Sequence, residues 1–217
     1  MRALLLGFAL ASALAASARG SQPSGLPLPA SAAPEIMCNG TYALCDRSPC
    51  TPVPMIQLTG EVTASVSLCT CSVLGGWSLG AASCSQRSAY DGGGRTYIFS
   101  SYSNAFNDQD DTLVCTANNA EWTWCLGAPC VVDAQDPTVA YCTCPITTGA
   151  PWVTLGGQCE QKECSSSLWS AAPYDTAAQT GEYVYSFMKR VAPSQAVPPA
   201  KFCPGSSHPS RKPSKRG

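Results

Sequence analysis

The sequence predicts a small disulfide-rich, mainly β fold, made of two tandem homologous cysteine-rich modules with β-hairpins and little helix. Three observations predict it. First, twelve of the 14 cysteines repeat one order twice: Cys38, Cys45, Cys50, Cys69, Cys71, Cys84, then Cys115, Cys125, Cys130, Cys142, Cys144, Cys159. Both copies hold a four-residue gap before the third cysteine and a Cys-x-Cys pair, as a retained covalent framework with drifting loops would. Second, each Cys-x-Cys pair ends an apolar, β-branched run of strand character. Third, charged residues make up only 12% of the chain, while 18 Gly and 18 Pro supply turns. A unit of roughly eighty residues buries a modest fraction of its surface and is marginal alone, which crosslinks offset.

The start of the chain reads as a secretory signal over residues 1–18. Arg2 is followed by an apolar run from Ala3 to Leu14, too short to span a bilayer, and then by small residues at Ala16-Ser17-Ala18. The expected location is therefore secreted: extracellular, or periplasmic in a bacterium. In that oxidising setting the cysteines are expected in disulfides. Residues 19–37 form a Pro/Ala/Ser-rich linker without apolar periodicity. The first repeat is placed at 38–114 and the second at 115–203. A basic tail follows at 204–217, with Arg211, Lys212, Lys215 and Arg216 and no acid.

Within the first repeat a hairpin is expected from Val53 to Leu58 and Val62 to Val73, turning at Thr59-Gly60-Glu61. Its counterpart runs from Val131-Val132 through the turn Asp133–Pro137 into Thr138 to Ile146. Residues two apart in a strand share a face, so Cys69 and Cys71, like Cys142 and Cys144, should project together. Tyr97-Ile98-Phe99-Ser100 alternates as a strand, and Tyr183-Val184-Tyr185-Ser186 reads as its echo. The one weak helical candidate, Ser167 to Ala178, is interrupted by Pro173. The two cysteines outside the duplicated set, Cys164 and Cys203, are expected to pair with each other.

Few residues suggest catalysis. The single histidine, His208, lies in the tail, which argues against a Ser-His-Asp hydrolase. No Cys-x-x-Cys is present to suggest a redox or zinc site. Asp91 and Asp175 occupy matched positions, and Glu121 and Glu182 lie near aromatics, so a carboxylate-dependent hydrolase is the alternative to consider. Asn107-Asp108-Gln109-Asp110-Asp111 is acidic, but Thr112 and Asn118 stand where a calcium loop needs Gly and Glu. Neither a metal nor another cofactor is expected.

Aromatics supply the candidate binding surface. Trp122 and Trp124 share a face if extended, and Trp122 aligns with Tyr42 of the first copy; Trp77 and Trp152 read as core filler. Asn39-Gly40-Thr41 is a glycosylation sequon with Asn39 as acceptor. The leading expectation is a secreted, non-enzymatic binding or interaction protein whose partner is an extracellular protein or glycan, with no nucleic acid and no membrane span. A purely structural surface protein is a further alternative.

Overall fold

The computed structural model describes residues 36–56, 62–107, 110–117 and 119–204, which belong to one compact unit. The signal segment, the linker as far as residue 35, the Thr59-Gly60-Glu61 turn and the tail beyond Pro204, His208 included, lie outside the described residues. Strands hold 45% of the described residues and helix 18%, so the fold is mainly β. In chain order come β1 (Ile36–Leu44), β2 (Cys50–Ile56), β3 (Val62–Gly80), β4 (Tyr90–Gly92), β5 (Arg95–Phe99) and β6 (Leu113–Cys115). They are followed by β7 (Glu121–Thr123), β8 (Pro129–Val132), β9 (Val139–Thr148), β10 (Trp152–Thr154), α1 (Glu163–Ser166), β11 (Ala172–Pro173) and α2 (Tyr174–Val191). Ile36 and Met37 thus belong to the first strand rather than to the linker. Among the described residues no helix is long and apolar enough to cross a membrane.

Two antiparallel hairpins dominate. β3 pairs along its length with β1 and then β2, and β9 pairs in the same way with β7 and then β8. In each hairpin the outer strand is broken into two pieces by the segment holding the four-residue cysteine gap. The hairpins do not stand apart. β3 and β9 are hydrogen-bonded neighbours, with Cys69 opposite Cys142 and Cys71 opposite Ala140, so the Cys-x-Cys pairs of both hairpins share one sheet and one core. β5 extends the sheet from β8, and Ser101 N–H then donates to Ala43 O (3.0 Å), bringing the far end back to β1. β6, β10 and β11 form a second, smaller sheet.

Seven disulfides join all 14 cysteines. Alternation places Cys69, Cys71, Cys142 and Cys144 on one buried face. The same nested pairing occurs in both hairpins: Cys45–Cys71 around Cys50–Cys69, and Cys125–Cys144 around Cys130–Cys142. These four bridges pack as a sulfur layer, Cys45 Sγ lying 3.6 Å from Cys142 Sγ and Cys69 Sγ 3.4 Å from Cys125 Sγ. Outside that layer the two cysteine sets differ. Cys38 bonds Cys84, whereas the second set uses Cys115–Cys164 and Cys159–Cys203.

The expected Cys164–Cys203 bond is therefore not formed. The reason is local: Gln161 Nε2 donates to Val114 O (3.2 Å), holding the turn that leads into α1, and so Cys164, beside Cys115. The Cys203 N–H donates to Thr112 O (2.9 Å), which sets Cys203 at the other end of β6.

Tyr183–Ser186 is not a strand either, but the third turn of α2, and the helix begins directly after Pro173. Pro fixes a φ compatible with a helix start, Asp175 stands in the first turn, and Lys189 and Arg190 stand in the last, where each charge suits the helix dipole. Thr180, Val184 and Met188 recur every four residues and form the buried stripe; Tyr183 is exposed. Gly181 lies on that stripe because a Cβ there would sit 3.3 Å from Pro199 Cβ.

Candidate functional site

Where β1 ends, the chain leaves the edge of β3 at Cys45 and returns at Cys50. The excursion Asp46-Arg47-Ser48-Pro49 is held at both ends by bonds to β3, and Ser48 N–H closes it on Cys45 O (3.0 Å). The small sheet grips it from the other side. Leu155 N–H (2.8 Å) and Thr154 Oγ1 (3.2 Å) both donate to Asp46 O, and Ser170 N–H donates to Ser48 O (3.0 Å). Asp46 is thereby pinned at the junction of the two sheets.

A cavity of about 360 Å³ opens at this junction. Leu44, Leu126, Trp124, Val153 and Phe202 provide apolar wall, and Thr176 and Thr180 of α2 add hydroxyl-bearing wall. Ala178 and Glu182, both exposed, mark its mouth on α2. That volume lies within the range of small-molecule sites.

Asp46 is the unusual member of the lining. The residue as a whole is half-buried, yet both carboxyl oxygens are buried and neither accepts a hydrogen bond from a described group. Burial pushes its carboxyl up to about 7, with Asp110 adding to the rise and its own amide and Arg47 only partly opposing it. Arg47 is committed elsewhere: its Nη1 lies 2.7 Å from Asp110 Oδ2, and its guanidinium sits 3.9 Å from the Phe106 ring centre. Tyr102 also lines the cavity; burial and then the charge of Asp46 raise its phenol, with Asn107 partly opposing, so it remains a protonated donor.

The residues singled out in the sequence are scattered. Trp122 is 6% exposed, donates from Nε1 to Gly149 O (3.1 Å), and packs between Trp124 (5.8 Å, edge-on) and Trp152 (6.4 Å, stacked). Trp152 is fully buried, and Trp77 is half-buried edge-on to Phe187. Tyr42 is 5% exposed and donates to Ser103 Oγ (3.0 Å). Of the tryptophan pair and Tyr42, only Trp124 reaches the cavity. Asn39 is exposed on β1, as are Gly40 and Thr41.

Asp91 accepts from Thr96 Oγ1 (2.6 Å) in the β4–β5 hairpin, whereas Asp175 is exposed in the first turn of α2, and neither lines the cavity. Glu121 is exposed on β7; Glu182 is the one expected carboxylate at the cavity. Of the acidic cluster, Asp110 serves Arg47, while Asp108, Gln109 and Asn118 lie outside the described residues. Two groups of three sulfurs lie close enough to surround an ion, but all six belong to disulfides and none is a thiolate.

Asp46 itself was not singled out in the sequence, although a signal was there. The four-residue gap of the second cysteine set, Leu126-Gly127-Ala128-Pro129, carries no charge, so Asp46 and Arg47 set the first gap apart.

A different surface forms on the sheet face opposite the sulfur layer. Register puts Tyr141, Val131, Tyr97 and Tyr90 directly opposite one another across β9, β8, β5 and β4, with Tyr90 stacked on Tyr97 at 5.0 Å. Tyr90 and Tyr141 are exposed.

No family model matches the chain, and no curated protein or solved structure matches it.

Proposed function

We propose that the protein is secreted and acts as a non-enzymatic binding protein for a small, mainly apolar molecule. The observation that carries this reading is the preformed cavity between the two sheets, walled by apolar side chains and framed by disulfides. A rigid cavity loses little conformational entropy when it is filled. Its wall includes Trp124, which gives a direct readout. Titration with the neutral fluorophore N-phenyl-1-naphthylamine is expected to show saturable binding with energy transfer from tryptophan. Ala177→Phe, which places a ring in the cavity wall, should abolish it. Saturable binding that survives Ala177→Phe unchanged, or no binding at all, refutes the reading.

The duplicated cysteine order and the shared nested pairing also support descent of the two hairpins from one repeated unit, fused through β3 and β9. Under this reading the repeats are halves of a single sheet.

Docking of an extracellular protein or glycan is a second reading, and the tyrosine row favours it. Exposed tyrosine side chains such as Tyr90 and Tyr141 pack against sugars and anchor protein contacts. Tyr90→Ala with Tyr141→Ala should then abolish binding on a glycan or protein array while cavity titration stays unchanged; array binding retained by the double variant rules out this face.

A further inference from the structure

We infer that the cavity between the sheets is one half of a longer site, whose ligand is an uncharged single-chain amphiphile: an apolar chain with a compact hydroxylated head. The inference rests on the cavity being a ligand site, as argued above, and adds the shape and chemistry of the ligand.

A second cavity, of about 310 Å³, lies beneath the later turns of α2. Three segments run directly from one cavity into the other. Tyr102 lines the first and Ser103 the second. On α2, Thr180 lines the first and Val184, one turn later, the second. Past the helix, Val197 lines the second and Pro199 the first. Asn104 ties the seam, its Nδ2 donating to Gly181 O (3.0 Å) and Val197 O (3.1 Å). At that seam α2 carries no side chain, because Gly181 stands there despite the weakness glycine brings to a helix. From Thr176 to Met188 the helix advances about 18 Å, so the paired cavities suit an elongated ligand.

The two halves differ in character. The first is walled mainly by apolar side chains such as Leu44, Leu126 and Val153. The second has a bare floor, since a Cβ on Gly75 or Gly76 would meet nothing within 4 Å, and Trp77 supplies an aromatic wall. Gln195, exposed at its rim, adds an amide that both donates and accepts. A ring beside a hydrogen-bonding amide suits the mixed surface of a sugar or polyol. Among the described residues neither lining holds a Lys or Arg, and Glu182 stands exposed at the first mouth. An anionic head would give up its hydration with no counter-charge to replace it. A wholly apolar ligand would leave the second half unused.

The test is competition against N-phenyl-1-naphthylamine on the full chain. The competitors are octyl glucoside, 1-octanol and octyl sulfate, which share one chain and differ in the head, each used below its micelle concentration. The glucoside is expected to displace the fluorophore at least tenfold more tightly than either of the others. Gln195→Trp and, separately, Ala105→Trp bring a ring to the second cavity from exposed positions, where folding tolerates it. Each should bring the glucoside-to-octanol ratio close to one. Equal affinities of glucoside and octanol, parity of the sulfate with the glucoside, or a preference that survives both variants overturns the inference and leaves the cavity reading intact. So does a glucoside that binds by calorimetry without displacing the fluorophore, because the cavities are then separate sites. Failure of the fluorophore itself to bind removes the cavity reading and the inference together.

Discussion

Replacing Asp46 with Asn should change how stability depends on pH, in a direction set by the structure. The folded-state carboxyl titrates at about 7, against 3.8 for the exposed group. Between those values the folded protein holds a proton that the unfolded chain has released. Stability therefore falls as pH rises, by about 1.4 kcal/mol per pH unit. Over the full window the loss is about 4 kcal/mol: the contribution is fully present below pH 4 and gone above pH 7. An amide does not titrate, so Asp46→Asn should lack this slope. The assay is urea denaturation with disulfides intact, at intervals from pH 4 to pH 8. Other carboxyl groups titrate in both proteins and cancel in the difference. The variant should gain on the parent steadily as pH rises. Parallel curves, or a parent that gains on the variant with rising pH, would refute the claim that Asp46 is buried and unpartnered.

Other outcomes follow from packing and covalent structure. Peptide mapping of the unreduced protein should recover Cys115 with Cys164 and Cys159 with Cys203; a Cys164–Cys203 fragment would contradict the placement of α1 beside β6. Gly156→Ala should cost about 1–3 kcal/mol, because a Cβ there overlaps the Trp169 ring, and a denaturation midpoint equal to the parent's would show that the ring has room to move. Trp152→Ala should cost about 3–5 kcal/mol, since the indole is fully buried at the centre of the second core cluster; a loss below about 1 kcal/mol would place it outside the core. Produced through a glycosylating secretory route, the protein should carry a glycan at Asn39, visible as a mass increment that Thr41→Ala removes; an unmodified Asn39 would mean that the exposed strand β1 is not a substrate.

What the sequence made legible were the features with a short-range cause. The Cys-x-Cys pairs face one way because strand side chains alternate, and the β8–β9 turn forms because Asp133 Oδ1 accepts from Gln135 N–H (2.7 Å) and Asp136 Oδ1 from Thr138 N–H (3.0 Å). The β4–β5 turn uses Gly93 and Gly94 at φ 58° and 75°, as adjacent glycines allow. α2 was missed because Tyr183-Val184-Tyr185 fits an alternating pattern as well as a helical one. The helical stripe shows only when Thr180, Val184 and Met188 are read together, and nothing local chooses between the two periods. Fusion of the hairpins was also hidden, since the contact between β3 and β9 joins residues far apart in the chain. For the same reason Trp122 and Tyr42 could be given a face but not a depth. Asp46 and the cavity depend on how the small sheet docks, and no spacing encodes that.

The position of the acid explains how its cost is retained. A buried carboxylate on an ordinary loop could move into water, and the pocket would collapse around the space. Here the four-residue excursion is closed by Cys45–Cys71 and Cys50–Cys69 onto a single strand, and β10 binds its backbone from the other side. Freeing Asp46 therefore means breaking sheet pairing as well as moving a side chain. Each crosslink contributes about 2–4 kcal/mol by restricting the unfolded chain, without simple additivity, which is comparable to the cost of ionising Asp46. Of the other unpartnered buried polar atoms among the described residues, the indole nitrogens of Trp152 and Trp169 belong to the second core cluster, on the side of the fold that carries the cavity, whereas Arg87 Nε and Asn104 Oδ1 lie outside it. The sulfur layer supplies rigidity, and the junction beside it holds the buried carboxyl whose two oxygens are both unpartnered among the described residues.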